Sequence, residues 1–157
     1  MLRQFFKAMR PRQWTKNIFV FAALVFDGKL FILEDTLRTL AGFAAFCLIS
    51  SSVYLINDLF DLASDRQHPV KKMRPIASGK LPPPAALCGA VVLAFLALAG
   101  GYLLSWLFAL TLAVYFVLML VYSKWLKHIP ILDVLVLASF YVLRVGAGVE
   151  LIQVARF

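Results

Sequence analysis

Charge is scarce in this chain, and acidic charge scarcer still. Only 15% of its 157 residues are Asp, Glu, Lys or Arg, and eight acidic residues stand against sixteen basic ones. A soluble domain is about 25% charged and about 45–50% apolar. Here 62% of residues are apolar and the mean hydropathy is +0.87. Those figures exclude disorder, a collagen-like repeat and an ordinary soluble domain. Cysteine is limited to Cys47 and Cys88, and histidine to His68 and His128. No metal-type cysteine spacing exists and no second histidine pairs with either one, so the cysteines read as small core residues and the histidines as interfacial polar groups. Length allows one domain at most. The class that remains is an integral membrane protein.

What is present bears this out. No ionisable side chain occurs over residues 39–57 or 81–123. A bilayer-crossing helix needs about 20 mostly apolar residues, so the first run makes one helix and the second makes two, divided at Gly100-Gly101. Residues 14–33, apolar apart from Lys16, Asp27 and Lys29, and residues 129–149, apolar apart from Asp133 and Arg144, complete the set. The expectation is an all-α integral membrane bundle of about five transmembrane helices.

Charge placement orients it. Twelve of the sixteen basic residues fall before the apolar core of span one, between spans two and three, or between spans four and five. Lys and Arg favour the cytoplasmic side. The N-terminus and the loop after span two are therefore expected in the cytoplasm of a multi-pass plasma (inner) membrane protein. The basic excess belongs to short juxtamembrane loops, which argues against nucleic acid as a partner. The short apolar core 18–26 is followed by Asp27-Gly28-Lys29 rather than a small-x-small cleavage site, so the N-terminus is expected to stay as an anchor.

The loop after span two carries the chemistry. It reads Asn57-Asp58-Leu59-Phe60-Asp61-Leu62-Ala63-Ser64-Asp65-Arg66-Gln67-His68-Pro69. If the helix continues outward at about 100° per residue, Asn57, Asp58, Asp61 and Asp65 share one face. Leu59, Phe60, Leu62 and Ala63 take the other, and Pro69 ends the helix. Three carboxylates on one face repel each other, and hard oxygen ligands at this spacing suit Mg²⁺ together with substrate phosphates. A solvated acidic helix end is the plainer reading, but acidic groups are disfavoured at a helix C-terminus. The alternating ligands and central glycine of an EF-hand are missing.

Lys71, Lys72, Arg74, Ser78, Gly79 and Lys80 follow within ten residues. Arginine matches phosphate oxygens bidentately and lysine adds point charge, so beside a Mg²⁺-binding helix this set describes a diphosphate clamp. Lys71 and Lys72 serve equally well as topology-setting charge. At the mouth of span one, Arg10-Pro11-Arg12-Gln13-Trp14-Thr15-Lys16-Asn17 offers further cations, which fit either a phosphate site or lipid headgroups. Trp14 is most simply an interfacial anchor. In span five, Asp133 and Arg144 are about three turns apart and share a face. Ionisable groups at that depth face a bundle interior or a wet cavity, although a salt link to another helix would also account for Arg144.

The combination of Asn57-Asp58-x-x-Asp61-x-x-x-Asp65-Arg66, His68-Pro69 and Arg74-Pro75-Ile76-Ala77-Ser78-Gly79 resembles the first aspartate-rich motif of the UbiA superfamily of membrane transferases. The segment from Arg10 to Asn17, and Tyr122-Ser123, Lys127-His128, Asp133 and Leu143-Arg144, resemble the corresponding stretches of the decaprenyl-phosphate phosphoribosyltransferases within it. The resemblance runs to about Val149. It implies a cytoplasm-facing cavity in a helical bundle, Mg²⁺ held by Asp58, Asp61 and Asp65 with Asn57 in support, and those three aspartates as the catalytic set. It also implies a diphosphate donor with Arg74 and Lys80 on its phosphates; Arg12, Lys16, Arg66, Lys72 and Ser78 complete the candidate phosphate-binding set, and Tyr122, Lys127, Asp133 and Arg144 are the candidate cavity lining. The family has nine helices and a second aspartate or basic motif, so residues 1–157 are expected to form a single, incomplete UbiA-like domain with its donor-binding loop at 57–82.

The expected reaction moves 5-phosphoribose from phosphoribosyl diphosphate to a polyprenyl phosphate, a step of cell-wall biosynthesis. Prenyl transfer from a prenyl diphosphate to an aromatic acceptor is the alternative, and a non-catalytic truncated membrane protein the second. A homo-oligomer is compatible with any of them. A transporter is motivated only by Asp133 and Arg144 and lacks repeat symmetry between halves.

Overall fold

The computed structural model describes residues 1–126, 129 and 131–152, and among these every regular element is helical. The order is α1 (Leu2–Ala8), a 3₁₀ helix η1 (Pro11–Phe21), α2 (Ala22–Phe26), α3 (Leu33–Phe60), α4 (Leu62–Gln67), a 3₁₀ turn η2 (Lys71–Met73), α5 (Pro83–Leu104), α6 (Trp106–Lys124) and α7 (Leu132–Leu151). Four of these, α3, α5, α6 and α7, are long and apolar enough to cross a membrane.

α3 is the axis. It contacts η1, α5, α6 and α7, and 61% of its apolar window is buried, against 22% for each of the other three, whose outer faces are left to lipid. At 1.5 Å per residue its 28 residues extend about 42 Å, beyond the roughly 30 Å hydrocarbon core. The helix therefore carries its last turns, with Asn57 and Asp58, out of the apolar layer. Helices in lipid gain little from apolar burial and associate through close packing and polar contacts. α3 supplies both. Phe46 and Ile49 pack with Phe108, Leu112, Tyr115 and Phe140 at mid-bundle. Ser51 accepts from Trp14 and shares its hydroxyl hydrogen between the Cys47 carbonyl of its own helix and the Met9 carbonyl, while Ser52 donates to the Ala90 carbonyl of α5. At the opposite end of the bundle, Arg38 donates to the Leu104 and Leu151 carbonyls and so closes the last turns of α5 and α7 together.

The first expected span departs from an α-helix. Pro11 occupies its first turn, where a missing N–H costs nothing, and the eleven residues from Pro11 to Phe21 wind as 3₁₀. This winding rises about 2.0 Å per residue and aligns positions three apart. Trp14, Asn17 and Val20 consequently lie in one row. All three meet the bundle: Trp14 on Ser51, Asn17 on Ser50 and Cys47, and Val20 in the core. With α2 the segment covers about 30 Å by those rises, where 16 α-helical residues would cover about 24 Å. α7 crosses it so closely that a Cβ on Gly148 would run into the Val20 carbonyl.

The loop from α4 to α5 folds back onto the helix ends. His68 and Arg74, each preceding a proline, are extended. Gly79 takes φ +76°, a left-handed conformation open to glycine. Ile76 and Leu81 are fully buried with Leu55, Ala86 and Ala90. These two anchors press residues 74–81 against the end of α3.

Candidate functional site

The sequence pattern places Asn57, Asp58, Asp61 and Asp65 on one continuing helix. The structure divides them. α3 stops at Asp61, which serves as its C-cap and as the N-cap of α4. Asp58 and Asp65 turn toward the loop, where both carboxylates are only 2% exposed. Arg74 Nη1 lies 3.2 Å from Asp58 Oδ1 and 2.7 Å from Asp65 Oδ2, and Arg10 Nη2 donates to the same Asp58 oxygen. Two arginines and two aspartates sum to zero formal charge. The repulsion that argued for a metal is thus offset here by guanidinium groups, and the three carboxylates do not converge: among the described residues no group of three or more His, Cys, Asp or Glu side chains could hold a metal ion. Arg74, expected as a phosphate clamp, is engaged by the two carboxylates.

Two oxygens nevertheless fit a hard cation. Asn57 Oδ1 and Asp65 Oδ1 are buried and have no hydrogen-bond partner among the described residues. A buried acceptor without a donor is costly, and a divalent cation is one group that satisfies it.

Asn57 faces the other way from Asp58, into a cavity of about 230 Å³ enclosed by η1, α3, α6 and α7. Lys16, Tyr54, Tyr122 and Arg144 share its lining. Arg144 is buried, and its partners are neutral. It donates to Asn17 Oδ1 at 2.9 Å, to Tyr115 OH at 2.9 Å and to the Phe140 carbonyl at 2.8 Å, with its guanidinium over the Tyr115 and Tyr141 rings. Among the described residues no carboxylate pairs with it, so the salt link is not what holds it. A desolvated cation with only neutral partners makes the inner end of the cavity electropositive. Tyr122 donates to Asp133, which joins α6 to α7 beside the same cavity.

The remaining expected residues lie elsewhere. Arg12, Arg66, Lys72, Ser78 and Lys80 are exposed on the surface. Ser78 closes a turn on the Pro75 carbonyl. Lys127 lies outside the described residues.

Sequence reasoning did not foresee the use made of Arg10, Asn17, Tyr54 and Tyr115. Arg10 carries a structural sign of its role. It adopts φ 55°, ψ 60° immediately before a proline, a left-handed conformation costing about 1–2 kcal/mol in a non-glycine residue. The ion pair with Asp58 and the stacking of Arg10 on Tyr54 at 4.9 Å hold it there. For Asn17 the available signal was an amide within an otherwise apolar span.

Known proteins resemble this chain throughout. The UbiA prenyltransferase family matches over residues 17–153. A decaprenyl-phosphate phosphoribosyltransferase of Mycobacterium tuberculosis (strain CDC 1551 / Oshkosh) is 40% identical over 146 residues, covering 90% of this chain and 48% of that protein. One from Corynebacterium glutamicum is 38% identical over 156 residues, covering 94% and 47%. The chain therefore spans about half the length of the curated relatives it matches. In fold, it is similar to a UbiA homolog from Archaeoglobus fulgidus bound to DMAPP and Mg²⁺, with a TM-score of 0.79 at 22% identity over 94% of this chain and 54% of that one.

Proposed function

This chain belongs to the UbiA prenyltransferase family, as a multi-pass membrane protein, and from that membership we propose that it is the donor-binding half of a Mg²⁺-dependent transferase that moves 5-phosphoribose from phosphoribosyl diphosphate to a polyprenyl phosphate. The observation that carries the reading is the cavity between η1, α3, α6 and α7. It pairs an unsatisfied oxygen, Asn57 Oδ1, with a buried, carboxylate-free Arg144 and with Lys16. An oxygen acceptor for a cation beside cations for an anion is the set that a metal–diphosphate group needs. The 40% identity to a decaprenyl-phosphate phosphoribosyltransferase supports phosphoribosyl over prenyl transfer.

In this reading Asn57 would hold Mg²⁺ at the cavity, with Asp61, one turn further along the same face, as its carboxylate partner, and the ion would supply charge neutralisation for the departing diphosphate. Lys16 and Arg144 bind the diphosphate oxygens and stabilise the charge that grows as the anomeric C–O bond breaks. A phosphate oxygen of the acceptor forms the new bond to that carbon. Arg10 and Arg74 position the end of α3 through Asp58 and Asp65. The loop at residues 57–82 and the N-terminus lie on the cytoplasmic side, in keeping with their basic excess.

The test is titration of the purified chain with phosphoribosyl diphosphate and with dimethylallyl diphosphate, each with and without Mg²⁺. Membranes containing the chain are then assayed with labelled donor and polyprenyl phosphate. Mg²⁺-dependent binding of phosphoribosyl diphosphate, lost in Asp61→Asn, is the expected result. Binding of dimethylallyl diphosphate alone would transfer the reading to prenyl transfer. Binding of neither donor by a folded chain would overturn it. Donor binding without turnover would leave a donor-binding protein that does not catalyse the transfer by itself.

A further inference from the structure

Residues 1–26 hold five basic residues and no acidic one. Arg10 is taken up by Asp58, and Lys16 by the inner cavity. Arg3, Lys7 and Arg12 remain. All three are exposed, and among the described residues no carboxylate pairs with them. With Phe6 and Gln13 they line a groove of about 800 Å³ on the outer side of α1.

The inner side of α1 is fixed. Ala8 and Met9 are buried with Leu55, Ile76 and Leu81, and Phe5 packs where a side chain on Gly89 would stand. This lays the segment across the ends of α3 and α5, at the level where α3 leaves the hydrocarbon. The outer side presents Leu2 and Phe6 at 85% and 54% exposure, next to the cations. Apolar side chains flanked by cations at that level describe a segment lying in the bilayer interface. Arg10 lines the groove as well, but its guanidinium is bonded to Asp58.

We propose that the groove is a binding site for the phosphate headgroup of an anionic phospholipid, with Arg3, Lys7 and Arg12 on the phosphate oxygens and Phe6 against the adjoining acyl carbons. Guanidinium groups match phosphate geometry, and lysine adds charge. The exposed Phe6 suits a ligand with an apolar tail, which a water-soluble diphosphate lacks. The site is separate from the transfer chemistry proposed above and does not depend on it.

Trp14 reports on the site directly, because Phe6 packs edge-on against it at 5.8 Å. The Trp106→Phe/Trp125→Phe chain keeps Trp14 as its sole tryptophan. It is reconstituted in phosphatidylcholine bilayers containing phosphatidylglycerol, and one or the other lipid is replaced by its brominated form at equal mole fraction. Brominated phosphatidylglycerol is expected to quench Trp14 more strongly than brominated phosphatidylcholine. Each cation removed is expected to weaken that preference by about fivefold, so Arg3→Ala/Lys7→Ala should nearly abolish it. Raising the salt should reduce it in the parent chain. Arg3→Lys/Lys7→Arg, which preserves charge, should retain it, and circular dichroism establishes that each variant is folded. Equal quenching by the two lipids in the parent chain overturns the proposal. So does a preference that survives in folded Arg3→Ala/Lys7→Ala.

Discussion

Arg74 makes two bonds that no other described residue replaces in full. Asp58 keeps Arg10 if Arg74 is lost, but among the described residues the Asp65 carboxylate keeps no partner: Oδ2 bonds Arg74, and Oδ1 has none. Arg74→Met would retain much of the side-chain stem and strand a carboxylate that is 2% exposed. Stranding one member of a buried pair costs about 3–5 kcal/mol. Because the Arg74 side chain is itself 27% exposed, water reaches one side of the pair, and we expect about 3 kcal/mol, the low end of that range. Adding Asp65→Asn removes the stranded charge, so the double variant should recover at least half of the loss. Asp65→Asn alone should be the mildest of the three, since Arg74 then retains Asp58. The measurement is reversible unfolding in mixed micelles of graded SDS content, followed by far-ultraviolet circular dichroism, with the four chains forming a double-mutant cycle. A loss below about 1 kcal/mol for Arg74→Met, the scale of a surface pair, would refute the reasoning. So would a double variant less stable than Arg74→Met.

Three other outcomes follow from the geometry. Arg144→Met should abolish Mg²⁺-dependent binding of the diphosphate donor, whereas Arg144→Lys should retain weakened binding; calorimetric titration distinguishes them, and undiminished binding in Arg144→Met would remove Arg144 from the donor site. Gly148→Ala should cost about 1–3 kcal/mol through overpacking against the Val20 carbonyl, while Gly146→Ala, where a Cβ meets nothing within 4 Å, should cost nothing measurable in the same unfolding assay. Arg38→Met should cost about 3 kcal/mol, given about 1.5–3 kcal/mol for each charge-assisted bond and overlap between the two carbonyls it serves. Faster amide exchange at the ends of α5 and α7 would mark where the loss is felt, and unchanged exchange there would argue against the capping role.

The spans were legible because a bilayer demands long stretches without charge, and residues 39–57 and 81–123 supply them. The winding of η1 was not. A periodicity of 3.6 spreads Trp14, Asn17 and Val20 over about 120° of the helix, whereas the three-residue period of a 3₁₀ helix sets them in one straight row. The acidic motif was legible as a set of residues and not as a set of partners. Helical periodicity says which face a side chain occupies, but it is silent on a guanidinium 48 positions away, such as the one on Asp58. Arg144 stood out as an ionisable residue at depth. Its partners did not, since a search for opposite charge passes over the amide of Asn17 and the hydroxyl of Tyr115.

The winding of η1 also sets how far this segment reaches along the bundle. Converting its eleven residues to α pitch would shorten the segment by about 5 Å and turn its row of contacts away from α3. Hydrophobic mismatch costs a fraction of a kcal/mol per Å, so a thinner bilayer pulls η1 toward the shorter form. The bonds of Asn17 to Arg144, Ser50 and Cys47 resist that pull. The hydrogen-bonded amide of Asn17 thus sets what a change of pitch in η1 would cost.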